Sequence, residues 1–557
     1  MVRTHVERMV DARLTKQIYN AKADGCRSRG RPRHTFHDQI ERVLEEGDVK
    51  SLKNRRACMK RVMKVNEASE ACKNRALWRS VLSAYPARDL APFSLHVAMF
   101  IPAILGQCDE EQKKYWLKRA NNFEIIGTYA QTELGHGTFI RGLETTANYD
   151  PDTEEFILHS PTLTAYKWWP GNLAHTANYC VVMAQLYIKG KSCGIQPFMV
   201  QLRDEETHIP LPGIKLGEIG AKFGFNTVNN GFLGFDNHRI KRDRMLMKNA
   251  QVLKDGTFRK PKNSKLTYGT MVYVRVTIVF NMANQLARSA IIAVRYSAVR
   301  RQSQLNPDEP EPQILDYVTQ QHKLFIAIAS SHAIKLTAKW LWTVYMKVSK
   351  DLASGNTDDL PELHALACCL KAVSTSDVSA MTERCRLSCG GHGYMLSSNL
   401  PQIYSVVSAA CTYEGENTVL MLQTARSLVK AWDQASSGTP LSPTMSYLSD
   451  KSVSHKWDND IDGIIRGFRR VYTSISEQDI QQLQDTYEEL LAKIRPNAVG
   501  LVDAFDFRDE ILNSTLGSYD GRVYERLMEE AMKSPLNKEP VNQSFHKYLK
   551  PFMQGKL

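Results

Sequence analysis

One acid carries the clearest chemical possibility in this chain. Ala410-Cys-Thr-Tyr-Glu-Gly-Glu-Asn-Thr-Val419 sets Glu414 after an apolar approach and an aromatic, and before a glycine. A carboxylate on such a turn can work as a general base where its surroundings raise its proton affinity toward the working pH. Gly415 removes a Cβ next to it, so that a ligand's backbone or thioester can come close. Most glutamates are solvated surface residues, and taken alone this stretch favours that plainer role.

Three further stretches have residue types suited to a ligand. Gly127-Thr-Tyr-Ala-Gln-Thr-Glu-Leu-Gly-His-Gly-Thr138 puts hydroxyls at Thr132 and Thr138, six apart on a strand-to-loop transition. Such a loop can bring backbone N–H groups against a flat, acceptor-rich ring such as a flavin, although a plain glycine-rich turn is the commoner case. Lys167-Trp-Trp-Pro-Gly171 places two indoles beside a chain reversal; a Trp pair is more often core, and an indole edge can also wall a ring cofactor. Gly390-Gly-His-Gly393 offers backbone amides to a pyrophosphate or simply ends a helix.

The elements needed to position these residues are legible in the pattern. Leu95 to Leu105 reads as a buried helix and Asp109 to Arg119 as an amphipathic one. Residues 140–260 read as β: Glu155-Phe-Ile-Leu158, Tyr179 to Ala184 and Phe198 to Leu202 are short apolar or alternating runs. Turn signals at Tyr149-Asp-Pro-Asp152 and Leu211-Pro-Gly213 separate them. Their spacing suggests a small antiparallel barrel or sandwich. From Leu266 to Lys430 the pattern is helical and long: Tyr273 to Arg301, then a Pro-rich bridge at 306–312, then Ile314 to Lys350, then a helix opened by Leu360-Pro-Glu362. A helical run, Val419 to Lys430, follows the acid. Residues 447–557 are polar at first and then helical.

Composition bounds the class. The 557 residues suffice for two to four domains, and 43% hydrophobic with 24% charged is ordinary for a globular chain. The net charge of +13 is uneven, because residues 1–90 hold 21 Lys and Arg against 11 Asp and Glu while the remainder holds 51 against 48. Arg27-Ser-Arg-Gly-Arg-Pro-Arg33 can act as an arm for an acidic partner or can be a solvated leader. With the helical stretch that ends at Ala76-Leu-Trp-Arg79 it resembles segments downstream of retrotransposon reverse transcriptases. Residues 1–90 are therefore expected to be a leader foreign to the rest of the chain, with no chemical duty. Eleven cysteines without metal-ligand spacing point to free thiols in a reducing compartment and to no metal site. No apolar run is long enough to span a bilayer.

The order of the pieces carries a resemblance. A helical segment, Thr-Glu-Leu-Gly-His-Gly, a β section with Trp-Trp-Pro-Gly, long helices, Gly-Gly-His-Gly-Tyr and Thr-Tyr-Glu-Gly-Glu-Asn-Thr follow one another as in the peroxisomal acyl-CoA oxidases, relatives of the acyl-CoA dehydrogenases. The likeness runs from around residue 90 to 445 and resumes from around 485. It implies an α+β fold of the acyl-CoA dehydrogenase kind, with a small antiparallel β-barrel domain between α-helical domains. The expected divisions are 1–90 leader, 91–130 remnant of an N-terminal helical domain, 131–260 β-barrel, 261–445 helical bundle for FAD and substrate, and 446–557 shortened C-terminal helical domain.

The same resemblance implies roles. Glu414 takes the place of the catalytic base. Thr132 would hydrogen-bond FAD, Gly171 would admit its ring beside Trp169, and Thr138 would lie near flavin and thioester. Arg300, Gln320 or Gln321, Gly390 and Gly391 would reach the FAD of a neighbouring subunit, which implies a homodimer. Tyr268, Arg275 and Gly415 would contact substrate. The implied reaction is α,β-desaturation of a fatty acyl-CoA to the trans-2-enoyl-CoA, with electrons passed to O2 to give hydrogen peroxide, as in the first step of peroxisomal β-oxidation. A terminal Gly555-Lys-Leu557 is close to a peroxisomal address. Nucleic acid is not an expected partner. Asn172 and Ala174 stand where the family has glycines, which adds side chains near the presumed flavin wall. The alternatives are an acyl-CoA dehydrogenase, or an inactive remnant fused to a basic nucleic-acid-binding leader.

Overall fold

A computed structural model describes residues 95–226, 228–260, 269–304, 306–353, 356–449 and 477–533, together with Lys547 and Pro551. The basic leader, Tyr268 and the terminal Gly-Lys-Leu lie outside the described residues. The described residues divide into two compact units: one holds those up to 278 with those in 340–372 and 412–424, the other those in 279–339, 373–411 and from 425 on.

Among the described residues, the first unit starts with a short π-helix, His96–Phe100, that runs into α1 (Ile101–Gln107), and continues with α2 (Glu110–Asn121). Asp109 starts α2 through a reciprocal cap: its carboxylate accepts from Gln112 N at 2.9 Å, and Gln112 Oε1 accepts from Asp109 N at 3.2 Å. Two otherwise orphaned backbone donors are satisfied in this way. The buried His96 links this helical pair to the first strand. Its Nδ1 accepts from Gly127 N at 2.9 Å, which leaves Nε2–H to donate to Ala120 O at 3.0 Å, and burial holds its pKa below the usual imidazole value.

The strands are β1 (Gly127–Ala130), β2 (Thr146–Asp150), β3 (Glu155–His159), β4 (Lys167–Trp168), β5 (Tyr179–Ile188), β6 (Lys191–Gln201), β7 (Ile214–Glu218), β8 (Gly231–Phe235), β9 (His238–Lys241), β10 (Gln251–Val252) and β11 (Phe258–Arg259). Six of them form a sheet in the order β1-β5-β2-β3-β9, with β6 on β5; β4-β8-β7 form a second sheet and β10-β11 a third. The expected purely antiparallel barrel needs one correction. β5 runs parallel to both β1 and β2, and the other ladders are antiparallel. β1 also begins at 127, before the expected start of the β section at 131.

β5 shows why the section folds as it does. Its alternate residues Cys180, Val182, Ala184, Leu186 and Ile188 enter one core with Phe156, Phe198 and Leu233. Tyr179, Val181 and Met183 face the other way, into a core with Phe100, Ile104 and Trp116 of the helical pair. A strand buried on both faces reads as a continuous apolar run, and the period of two assigns each side chain to its core.

The long helices are α3 (Gly269–Val299), α4 (Val318–Ala353), α5 (Leu360–Leu387), α6 (Leu400–Ala410) and α7 (Asn417–Ser436), followed by α8 (Glu477–Ile494), α9 (Ala498–Asp503), α10 (Asp509–Leu512) and α11 (Val523–Ala531). Within the second unit, buried Arg295 of α3 pairs with Asp503 at 2.6 Å and Asp509 at 3.3 Å and donates to Gly517 O at 2.7 Å. Arg288 donates to Ile511 O, and Asn399 to Leu512 O. These bonds fasten the C-terminal segments to the helices. Among the described residues, no helix is long and apolar enough to cross a membrane, and no cluster of His, Cys, Asp or Glu could hold a metal ion.

Candidate active site

The acid lies on the turn between the end of α6 and the start of α7. Glu414 has φ +56° and Gly415 φ +103°, both in the left-handed region. A non-glycine residue persists there only where its neighbours over-determine it. Two buried cations do so. Arg275 of α3 donates from Nε to the Glu414 carbonyl at 3.0 Å and from Nη1 to Cys368 Sγ at 3.4 Å. Lys371 of α5, with no exposed surface, donates to the Gly415 carbonyl at 2.7 Å and to Asn417 Oδ1 at 3.1 Å. Asn417, the first residue of α7, donates in turn to Ala372 O at 3.2 Å.

The cations therefore hold the two backbone carbonyls that follow the acid's Cα, those of Glu414 and Gly415. The carboxylate oxygen Oε2 is enclosed and has no hydrogen-bond partner, although part of the residue keeps some surface. Burial pushes the Glu414 pKa above the usual carboxylate range, and the charges of Arg275 and Lys371 pull it part of the way back. Buried Tyr129 of β1 also feels the Glu414 charge. Next to the acid, the Tyr413 ring meets Phe225 edge-on, with centroids 6.0 Å apart. An enclosed carboxyl with raised proton affinity and an unused oxygen is suited to taking a proton from a carbon acid.

Two of the residues expected to contact substrate also serve the turn itself. The Arg275 guanidinium bonds the backbone of the acid and Cys368. Gly415 is needed chiefly for its own conformation and packing: a Cβ there would come within 2.6 Å of Leu420 Cδ2 and 3.4 Å of Arg275 Nη2. Gly415→Ala is expected to destabilise the protein by about 1–3 kcal/mol, as measured by denaturant unfolding, because it adds a clash to a positive φ.

In the β section, Thr132 and Trp169 flank the same pairing: Trp168 N donates to Thr132 O at 2.9 Å, and Glu133 bridges to Lys167. The two indoles divide the alternatives between them. Trp168 stacks on Phe232, with centroids 6.0 Å apart and planes 18° apart, whereas Trp169 is 53% exposed and has φ +86°. Thr138 is exposed, beyond the loop. A Cβ at Gly171 would meet Leu95 Cδ1 and Val228 Cγ1 at 2.6 Å. Asn172 is fully buried, and neither of its amide atoms has a partner.

The loop itself is held by a pair that motif reading passed over. Glu133 and Lys167, both with fully buried side chains, meet at 2.9 Å. Glu133 also accepts from Glu144 N, Thr145 N and Thr145 Oγ1 at 2.7, 2.9 and 2.6 Å, and Lys167 donates to Gln131 O at 3.2 Å. Lys371 was passed over as well. Its one sequence signal is that it is the sole charge from Leu363 to Ser376.

The second unit contains a cavity of about 450 Å³ lined by Tyr296, Arg300, Gln320, Lys323, Gly390 and Gly391, among others. Gln320 lines it and is fixed by bonds from Nε2 to Ser297 Oγ at 3.0 Å and Ser388 O at 2.8 Å. Gln321 does not line it; its amide caps the Leu315 and Asp316 carbonyls. Gly390 has φ +58° after the end of α5, and a Cβ at Gly390 or Gly391 would meet nothing within 4 Å. The helix stop and the open cradle thus occur in the same residues. Arg300 and Lys323 supply positive charge suited to phosphate.

Known proteins resemble this chain along most of its length. Residues 268–429 match the acyl-CoA oxidase C-alpha1 domain, 463–554 match acyl-CoA oxidase, and 35–126 match the acyl-coenzyme A oxidase N-terminal domain. The last match begins inside the stretch expected to be a foreign leader, so family likeness reaches back to residue 35. Acyl-coenzyme A oxidase 1 of Drosophila melanogaster is 46% identical over 84% of this chain and 83% of its own. Peroxisomal acyl-coenzyme A oxidase 1 of Rattus norvegicus is 42% identical over 89% of each. The Caenorhabditis elegans acyl-CoA oxidase-2, solved with FAD, ascaroside-CoA and ATP, superposes with a TM-score of 0.79 at 35% identity over 93% of this chain and 94% of that one. With an enclosed acid on a clamped turn and an ordered set of family segments around it, the chain belongs to the acyl-CoA oxidase family.

Proposed function

We propose that the protein is an FAD-dependent acyl-CoA oxidase that desaturates a fatty acyl-CoA between Cα and Cβ, with Glu414 as the base. The observation that carries this is the unpartnered Oε2 of Glu414, enclosed while both neighbouring cations hold backbone carbonyls. A carboxylate in that state gains a partner when it takes the substrate's α-proton. Buried Tyr129 beside it helps to exclude water, which raises its basicity. Hydrogen bonds to the thioester oxygen would ease proton removal by stabilising enolate charge.

The residues present fit FAD. Thr132 and the exposed Trp169 indole would meet its ring system, while Arg300, Gln320 and the open backbone at Gly390 and Gly391 would hold phosphate-bearing parts of the FAD of a neighbouring subunit. When bound, FAD supplies the acceptor for the Cβ hydride and delivers the electrons to O2. Arg300→Gln should weaken FAD binding about tenfold, the loss of one charge-assisted bond, in a fluorescence titration of the apoprotein.

The protein acts as a homodimer in this reading, supported by the exposed apolar Tyr394, Leu396, Val429 and Trp432 of the second unit; light scattering at the purified mass tests it. A peroxisomal location follows the rat relative's name and is tested by co-localisation with a peroxisomal marker. The whole reading predicts a yellow protein that releases peroxide from a saturated acyl-CoA in air. Desaturation only with an artificial electron acceptor, and no peroxide, would mark a dehydrogenase instead. A colourless protein inert toward acyl-CoA would overturn both.

A further inference from the structure

We propose that Lys371 is a positioning residue for the base, its ammonium holding the Gly415 carbonyl and the Asn417 side chain so that Glu414 is presented from a left-handed turn. This rests on the reading of Glu414 as the base. A lysine with no exposed surface loses its hydration, and an apolar side chain would fill the same space in α5 more favourably unless the charge has a task. Its bonds at 2.7 and 3.1 Å go to the residue after Glu414 and to the start of the following helix, and the Asn417 amide returns to Ala372, next to Lys371. The three contacts close a ring between one turn of α5 and the catalytic turn. Arg275 grips the Glu414 carbonyl from α3 and Lys371 the Gly415 carbonyl from α5, so the two successive peptides that follow the acid are each fixed from a different helix.

The ring matters because Glu414, a residue with a side chain, sits at φ +56°, beside Gly415 at φ +103°, which glycine alone adopts freely. Without the ammonium, the Gly415 carbonyl and Asn417 Oδ1 lose a buried donor, and the turn is free to relax away from its left-handed geometry. The lysine also has an electrostatic task. Among the described residues, the charged and titratable groups around the Glu414 carboxyl are Arg275 from α3, Lys371 from α5 and Tyr129 from β1; His364 and Cys368 of α5 lie beside Arg275, and Glu416 faces Lys371. Both cations favour the ionised base, so removing one moves its titration to higher pH.

The test uses the purified, FAD-loaded protein and a redox-inert 3-thia-acyl-CoA, whose α-proton exchange in D2O is followed by mass spectrometry against pH. Thermal unfolding and flavin content are recorded alongside. Lys371→Met is expected to keep flavin, to lower the plateau exchange rate by about tenfold or more, and to move the acid limb to higher pH. Lys371→Arg keeps the charge but not the short fit to Gly415 and Asn417, so it should lower the plateau with the limb unmoved; it carries the test if Lys371→Met does not fold. Wild-type plateau and limb in the variants, while Glu414→Gln abolishes exchange, would overturn the proposal and leave the base in place. Exchange surviving in Glu414→Gln would instead remove Glu414 as the base.

Discussion

Glu414→Gln is expected to lower peroxide release from a saturated acyl-CoA by about a thousandfold or more, the upper part of the range for loss of a general base. The amide keeps the size of the carboxyl and the backbone bonds to Arg275 and Lys371, which involve carbonyls rather than the side chain. Flavin content and acyl-CoA affinity should therefore stay close to wild type, and the loss should appear in kcat. The wild-type enzyme adds a second signature. Because burial raises the Glu414 pKa, activity that needs the ionised form should fall on acidification at a pH above the ordinary glutamate value of about 4.3. A steady-state profile that stays flat down to that value would show that the base is not a buried carboxyl.

Lys167→Met is expected to cost about 3–5 kcal/mol in unfolding free energy, because it leaves the Glu133 charge buried without its cation. The loop from Gln131 to Thr138, which carries Thr132, is held through this pair, so flavin retention should fall as well. The pH dependence gives an internal check. Although burial alone would raise the Glu133 pKa, Lys167 and the Thr145 and Glu144 donors more than offset it, and the net shift is downward. A depressed carboxylate pKa contributes stability that is present above the unfolded value of about 4.3 and lost as pH falls through the folded value. The stability gap between wild type and Lys167→Met should therefore narrow below that pH in urea titrations. A gap that is the same at acid and neutral pH would mean the loss came from packing and not from the ion pair.

The sequence showed the fold's periodic parts and hid its partnerships. The apolar run of β5 marked a buried strand, but periodicity carries no information on which distant segment lies alongside, and the parallel pairing with β1 and β2 stayed hidden. The long helices were legible because their spacing is local; their observed ends lie within a few residues of expectation. Gln320 and Gln321 could not be separated by reading, since adjacent residues on a helix point about 100° apart and only the packing chooses one. Glu414 was found through the order of motifs around it, whereas its burial and the two cations beneath its turn depend on residues 139 and 43 positions away. Lys371 and Glu133 were invisible for a related reason: a charged residue in a helix or loop is usually solvated, and nothing in local sequence marks one that is enclosed.

The most direct test of the central claim mixes flavin-loaded wild type and Glu414→Gln with a saturated straight-chain acyl-CoA in the absence of oxygen and follows the yellow absorbance. Proton removal by Glu414 predicts rapid bleaching of the wild type and a variant that binds the substrate and remains yellow. Bleaching of the variant at the wild-type rate would contradict the account.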